Sequence, residues 1–262
     1  MLSVIIIAKN EAANIRRALE SVKWANEIIV LDSGSTDSTV SIAKEYTDKV
    51  FATDWQGFGI QKQRALELAT SDWVLNIDAD EFITAKLKET MQKLISSSQA
   101  DAYKIPIQMH FYGKALKFSA SPGRHVRLFR REGSCYHADL VHEKITLPAA
   151  AKVKKIKSPI LHNSFRDVSH AISKLNLYSS YSAKIKIDNN IKPSLLKTIL
   201  GASWMFFRCY LLQCGFLDGK PGLIFAVYSS QGSWYRGIKQ LYKDNNPNFR
   251  RCEHSEAIQI DP

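Results

Sequence analysis

Trp73-Val74-Leu75-Asn76-Ile77-Asp78-Ala79-Asp80-Glu81 is the stretch that decides the fold. Its first half is a short, nearly unbroken apolar run, the pattern of a strand buried on both faces. It then ends in three carboxylates within four residues. Burying such a group is costly unless positive charge meets it. In an open α/β sheet, ligands bind beyond the carboxyl ends of the strands. Carboxylates placed there suit a divalent cation, which prefers hard oxygen ligands and often shares them with phosphate. The plainer reading is an acidic turn with Thr84 capping the next helix. An Asp-x-Asp triplet alone does not choose between the two.

Upstream, the pattern alternates. Leu2 to Ala8 is an apolar strand, followed by Lys9-Asn10-Glu11 and a helix with Ile15, Ala18, Leu19 and Val22 at helical spacing. Glu27 to Leu31 is a second strand, ending at Asp32. The polar turn Ser33-Gly34-Ser35-Thr36-Asp37 offers cap chemistry for a helix reaching about Tyr46. Lys49 to Ala52 reads as a third strand, Gln56 to Gly59 as a loop, and the segment to about Thr70 as a helix. Alternating strands and helices predict βαβ units and a mostly parallel central sheet, an α/β fold. Three loops then open on one sheet edge: Ala8 to Glu11, Asp32 to Asp37, and Asp78 to Glu81. A helix N-terminus after Gly34 suits negative charge, and Lys62 and Arg64 on the third helix are candidates to reach phosphate. No Walker-type lysine loop is present, and Gly57-Phe58-Gly59 lacks the third glycine of a dinucleotide fingerprint.

Downstream, a helix is expected over 84–98, then strands over Ala102 to His110 and His125 to Arg130. Arg124, Arg127 and Arg130 are expected to share one strand face and to meet phosphate or solvent. His137, His142 and His162 are candidates for a metal ligand. No His-Glu-x-x-His occurs, which argues against a zinc hydrolase.

The chain has 262 residues, 45% of them hydrophobic, and a formal net charge of +11. That length allows one large α/β domain with a helical appendage. A basic balance favours acidic partners: phosphorylated substrates, an anionic membrane or nucleic acid. Nucleic acid is the weakest of these, since no recognised motif or basic-aromatic stripe accompanies the charge. Four scattered cysteines read as free thiols in a reducing compartment. No signal peptide and no obvious transmembrane helix are expected. Leu195 to Leu217 and Leu223 to Tyr242 are rich in large apolar and aromatic residues but broken by Lys197, Arg208 and Gln213. They read as interfacial helices that touch a membrane rather than span it.

The residues also match a known family. Ala8-Lys9-Asn10-Glu11, Val30 to Asp37 and Leu75 to Glu81 resemble successive motifs of family 2 glycosyltransferases with the GT-A fold. Trp55-Gln56-Gly57-Phe58-Gly59-Ile60-Gln61-Lys62-Gln63-Arg64-Ala65-Leu66, Arg127 to Arg130 and Val141-His142-Glu143 resemble bacterial lipopolysaccharide core transferases that add a β-glucose to an inner-core heptose. The likeness is strong over residues 1–145 and looser to about 240.

The resemblance implies a UDP-hexose donor, inversion at the anomeric carbon, and a divalent metal, Mg or Mn. It implies a nucleotide-sugar site built from Ala8, Asn10, Glu11, Asp32, Ser33, Gly34, Ser35, Gln61, Lys62, Arg64, Asp78 and Ala79. Asp80 would be the direct metal ligand, with Asp78 and His142 as further candidates. Many members carry a second Asp where this chain has Ser33, so Asp32 would work alone or with Glu11. A carboxylate base must take the acceptor proton; Glu143 is the first candidate and Asp139 the second. The expected layout is a catalytic domain over 1–160, a helical acceptor- and membrane-facing region over 161–245, and a polar tail over 246–262. The expected acceptor is a lipid-linked lipopolysaccharide core at the cytoplasmic face of the bacterial inner membrane. A polyisoprenyl phosphate or another cell-surface glycan is the alternative acceptor, and a sugar-nucleotide-binding protein without turnover is a further class.

Overall fold

The computed structural model describes residues 1–97, 99–111, 114–120, 123–137, 145–163, 165 and 167–242. The chain forms two compact units. The first comprises Met1–Ile107 and Pro122–Asn163. The second comprises, among the described residues, those of 108–121 and of 164–242.

The first unit is a mixed α/β sandwich around one large sheet. Strands β1 (Leu2–Ala8), β2 (Glu27–Asp32), β3 (Val50–Ala52) and β4 (Trp73–Asn76) alternate with helices α1 (Ile15–Val22), α2 (Thr39–Lys44) and α3 (Phe58–Leu68). β1 pairs in parallel with β2 on one side and β4 on the other, and β3 extends the sheet beyond β2. Every residue of β1 is buried, and successive side chains enter opposite layers, as the two-residue strand period requires. Leu2, Val4, Ile6 and Ala8 pack with Ile15, Leu19 and Val22 of α1. Ile5 and Ile7 pack with Ala65 and Leu66 of α3.

Past β4 the sheet changes character. The segment after Asp80 forms a short strand, β5 (Glu81–Ile83), before α4 (Ala85–Ser97) begins. Thr84 caps that helix by accepting from the Leu87 N–H. Next come β6 (Ala102–Phe111), β7 (Lys114–Ala115), β8 (Arg124–Arg130), the β9–β10 hairpin (Cys135–Tyr136, Ile145–Thr146), β11 (Val153–Lys155) and β12 (Ile160–His162). The strand order is β3-β2-β1-β4-β8-β6-β12-β5, with β8 antiparallel to both β4 and β6. β12 runs antiparallel to β5 and sets His162 opposite Glu81.

At the amino-terminal end of the parallel strands, Glu27 is 9% exposed. Its carboxylate accepts from the Ser3 hydroxyl, from Lys49, and from the Thr70 N–H and hydroxyl. Burial alone would raise this carboxyl, but those donors outweigh it and hold it at about 2.

The second unit is helical: α5 (Val168–Asp188), α6 (Leu195–Phe207) continued by a π-helical turn (Arg208–Leu212), a 3-10 turn (Gly215–Asp218) and α7 (Lys220–Leu241). α7 packs against both α5 and α6. Its small core joins Phe111, Leu116, Phe165 and Ala171, with Phe225 and Tyr228 against them. One expectation needs correction here. Leu195–Leu212 is an 18-residue window of mean hydropathy 1.3, long and apolar enough by length and composition to cross a membrane, and only 17% of it is buried. Lys197 and Arg208 interrupt the run without lowering its mean enough to exclude it. Cys135, Cys209 and Cys214 are free thiols.

Candidate functional site

The site is built at the carboxyl ends of β1, β2 and β4. The first two loops are stitched together by their own polar side chains. Asn10 takes a left-handed conformation, φ 57°, and its side-chain oxygen accepts from the Thr36 N–H at 2.8 Å. The Asn10 N–H donates to the Ser35 hydroxyl, and the Glu11 N–H to the Thr39 hydroxyl, both at 2.8 Å. Asp32 is buried and turns inwards to shape its own loop, accepting from the N–H groups of Gly34 and Ser35 at 3.0 and 2.8 Å. Gly34 has φ 84°, a region where a side chain would strain the backbone.

Gln61 on α3 is fully buried, and its amide donates to the Ser33 and Thr53 hydroxyls and to the Asp54 carbonyl. Arg64 donates to the Asp54 carboxylate at 2.8 Å. Both side chains are thus held by this loop. Lys62, between them, points into the sheet edge and pairs with Asp78 at 3.0 Å, its side chain only 3% exposed.

The acidic stretch meets positive charge from three directions. Arg127 of β8 donates to Asp78 and to Glu81, each at 2.8 Å. Lys62 takes the other Asp78 oxygen. His162 of β12 hydrogen-bonds Asp80 at 2.8 Å. Three carboxylates therefore face two strong cations and an imidazole, which is what burial of the cluster requires. Burial alone would raise Asp78, yet Arg127 and Lys62 hold it well below the usual carboxylate range. Glu81 goes the other way: burial, helped by the neighbouring Asp78 charge, outweighs Arg127 and lifts it to about 7. Burial would lower His162, but Asp80 outweighs it and lifts the imidazole to about 9. Asp78 and Glu81 hold Arg127 above its ordinary value against the effect of burial.

Backbone and amide contacts close the remaining gaps. The Asn163 N–H donates to the Asp80 carbonyl at 2.9 Å. Its side chain donates to Asn14 at 3.0 Å, and Asn14 in turn donates to Glu11 at 2.7 Å. The first loop and the end of β12 are thereby tied through two asparagines. On the Lys62 side, Asn76 donates to the buried Tyr136 hydroxyl at 2.9 Å. Burial pushes that phenol up to about 12, so it stays protonated.

Ala8, Asn10, Glu11, Asp32, Ser33, Gly34 and Ser35 thus come together at one edge with Lys62, Asp78, Ala79 and Asp80. Glu143, Asp139 and His142 lie outside the described residues. His137 bonds the Thr146 hydroxyl across the hairpin. Among the described residues, no group of three or more His, Cys, Asp or Glu side chains is arranged to hold a metal ion. Within the cluster, however, Asp80 Oδ1 is buried with no hydrogen-bond partner among the described residues.

The expectation that Arg124, Arg127 and Arg130 share a face is wrong. Residues three apart on a strand point to opposite sides. Arg127 turns into the cluster, Arg124 is exposed, and Arg130 lies over the Trp73 ring at 4.6 Å. The partners of Arg127, His162 and Asn163 are what reading along the chain misses. A signal was present for Arg127: it is flanked by Val126, Leu128 and Phe129, and an arginine set among apolar neighbours in a strand implies a buried acid to meet it.

Comparison with known proteins agrees on the family. The sequence pattern described as Glycosyl transferase family 2 matches residues 3–160. An uncharacterized glycosyltransferase of Rickettsia bellii is 33% identical over 95% of this chain and 90% of its own. The lipopolysaccharide core biosynthesis glycosyltransferase LpsC of Rhizobium meliloti is 29% identical, covering 90% of this chain and 92% of its own. Among solved structures, a mannosyltransferase from Pyrobaculum calidifontis, in complex with GDP-Man and Mn2+, superposes with a TM-score of 0.51. That match covers 93% of this chain and 88% of the other at 12% identity, and it bears on the fold alone.

Proposed function

The chain belongs to glycosyl transferase family 2 and has the GT-A fold, and on that premise we propose that it moves a hexose from a UDP-sugar to a lipopolysaccharide core heptose with inversion. The observation that carries the reading is the buried Asp80 carboxylate, with one oxygen unpartnered among the described residues, at the carboxyl edge of a parallel sheet. A carboxylate oxygen withdrawn from water without a donor fits a cation better than a structural role. Asp80 with His162 would hold a divalent metal. Asp78, already paired with Lys62 and Arg127, would orient the donor rather than bind the ion. A metal held by Asp80 and His162 would supply charge stabilisation for the leaving diphosphate.

The chain's own residues do the rest. The Asp32–Asp37 loop, braced by its own Asp32 carboxylate, would border the nucleotide. Lys62 lies close to where diphosphate charge develops, and its hold on Asp78 keeps both groups placed before the donor arrives. The acceptor hydroxyl attacks the anomeric carbon from the side opposite the diphosphate. One carbon–oxygen bond forms as the bond to the diphosphate breaks, and the hydroxyl proton passes to a carboxylate. We assign that base to Glu143, with Asp139 as second choice. Glucose as the donor sugar follows the core-transferase resemblance, and the acceptor reading is supported by the likeness to LpsC. The acceptor would be lipid-linked and met at the cytoplasmic face of the inner membrane.

The test is release of UDP from UDP-glucose by the purified chain, with a heptose-terminated core as acceptor and product linkage read by NMR. Turnover should require a divalent cation and should yield a β-linked product. Absence of turnover and of binding with every nucleotide sugar would sink the enzyme reading. Transfer only to a polyisoprenyl phosphate would keep the chemistry and change the acceptor.

A further inference from the structure

The α6–α7 contact buries small residues where a protein surrounded by water would bury large ones. α6 and α7 form an antiparallel pair whose contact is made of small residues. A Cβ on Gly237 would run into Thr198. Gly201 faces Ser233, and the Ser230 hydroxyl donates to the Ala202 carbonyl at 2.9 Å. Thr198, Ala202 and Cys209 are the buried residues of α6 and its π turn; Gly222, Ala226, Ser233, Gly237 and Gln240 are those of α7.

The large apolar side chains point outwards. Leu196, Leu200, Trp204, Phe207 and Leu211 recur every three or four residues and are 66, 59, 56, 42 and 46% exposed. That spacing makes one continuous stripe along the helix. Leu212, Phe216, Leu217, Leu223, Ile224 and Val227 prolong it around the turn into α7. Small residues at the helix contact and large ones facing out is the arrangement of helices packed in lipid, where close backbone approach rather than the hydrophobic effect joins them.

Charge identifies the occupant further. Over residues 191–242 the chain carries six cations, Lys192, Lys197, Arg208, Lys220, Arg236 and Lys239, and one acid, Asp218. Asp218 is buried, and its carboxylate accepts from the N–H groups of Lys117, Phe118 and Ser119 and from the Ser119 hydroxyl. Lys192, Lys197, Arg208 and Lys220 are exposed, whereas Lys239 is held against α5 by Asn176, Ser179 and Ser180; the exposed charge on α6 and the turn into α7 is therefore positive. A second copy laid on this face would bring like charges together, whereas an anionic bilayer would satisfy both stripe and rim.

We infer that the α6–α7 hairpin docks in an anionic phospholipid bilayer, lying along its interface with the Leu196–Leu211 stripe in the acyl region and the lysines and arginines at the headgroups. Leu195–Leu212 spans about 27 Å at 1.5 Å per residue, close to the hydrocarbon thickness of about 30 Å. Spanning is disfavoured because Lys197 and Arg208 would have to cross and because α7, after Val227, carries Gln231, Arg236 and Lys239 on the way back. The inference takes from the proposed function only the choice of an acceptor held in that membrane.

The experiment uses the full chain with vesicles of phosphatidylcholine, with or without about one-third phosphatidylglycerol, an amount sufficient to give an anionic surface. Flotation with the anionic vesicles is expected, with tryptophan emission quenched by bromine on the acyl chains and the quenching reduced in Trp204→Phe. Leu200→Glu with Phe207→Glu should lower partitioning at least tenfold. Lys197→Glu with Arg208→Glu should remove the preference for the anionic vesicles. Amide-exchange protection of α7 in each variant shows that the hairpin still folds. UDP-glucose binding measured on the same samples keeps the two readings separate: vesicle binding without nucleotide binding would refute the transferase, not the docking. No flotation with either vesicle overturns the inference. A concentration-dependent dimer broken by Leu200→Glu, with no vesicle binding, overturns it in favour of a contact between copies.

Discussion

Replacing Arg127 by Met removes the charge and keeps most of the volume. Its guanidinium is buried and bonds Asp78 and Glu81, each at 2.8 Å. Removing one partner of a buried ion pair costs about 3–5 kcal/mol, because the remaining charge is stranded. Two features of the cluster soften this. Lys62 still pairs with Asp78 at 3.0 Å. Glu81, lifted from its ordinary 4.5 to about 7, can take up a proton instead of standing alone. We therefore expect the lower end, about 3 kcal/mol, near pH 8. Glu81 binds its proton more tightly in the folded protein than in the unfolded chain. Its contribution to stability therefore improves as pH falls through 7 and stops changing below 4.5. Without Arg127 that carboxyl is lifted further, so the variant gains more than the parent between pH 8 and 5.5. The loss should shrink to about 1.5 kcal/mol at the lower pH, the worth of a hydrogen bond to a charged group. Urea unfolding with chelator present, followed by amide exchange in β4 and β8, reports on this unit separately from the helical one. A loss under 1 kcal/mol at pH 8, or one equal at both pH values, would refute the reasoning.

Other outcomes follow from the same geometry. Because His162 sits at about 9, its ring is charged at neutral pH, and a metal must displace that proton. Mn2+ affinity in the presence of UDP should fall close to tenfold per pH unit from about 9 to 7 in the parent and lose that slope in His162→Ala, read by electron paramagnetic resonance titration. Glu27 is held at about 2 instead of 4.5, so its stabilisation is complete above 4.5 and is lost as pH falls towards 2. At about 1.4 kcal/mol per unit this amounts to about 3 kcal/mol, and Glu27→Gln should show a matching loss at pH 7 and a flatter acid-unfolding profile. Glu143→Gln should lower kcat at least a hundredfold, the usual size of a general-base effect, with UDP-glucose binding unchanged by calorimetry. Near-normal turnover would move the assignment to Asp139.

Much of the first unit was readable along the chain. The four parallel strands, the helices between them and the carboxylates beyond β4 all follow from local patterns: apolar runs of strand length, helical spacing, and polar turns with cap residues. Thr84 caps α4 as expected, although β5 intervenes between the acids and the helix. What was not readable depends on pairing across large separations. Nothing local to Ile160-Leu161-His162 says that it will lie antiparallel to Glu81-Phe82-Ile83 and bring an imidazole to Asp80. Arg127 was misplaced because a helix-like spacing of three was applied to a strand. In the second unit, composition marked α6 and α7 as interfacial, but nothing local showed that small residues would make the contact between them.

The acids and their cations are far apart in the chain. Asp78 and Arg127 are separated by 49 residues, and Asp80 and His162 by 82. Contacts of such separation form late, because closing the loop costs chain entropy before the contact returns any stabilisation. During synthesis from the N-terminus, β1 to β4 have left the ribosome while β8 and β12 have not. The nascent sheet then carries Asp78, Asp80 and Glu81 at an open edge with Lys62 as the available cation. Charges left without partners in a half-made sheet are costly to bury. The arrival of Arg127 and then His162 allows them to be buried. Burial of the three acids in their final arrangement therefore requires chain as far along as β12, and no segment ending before His162 can hold the whole cluster.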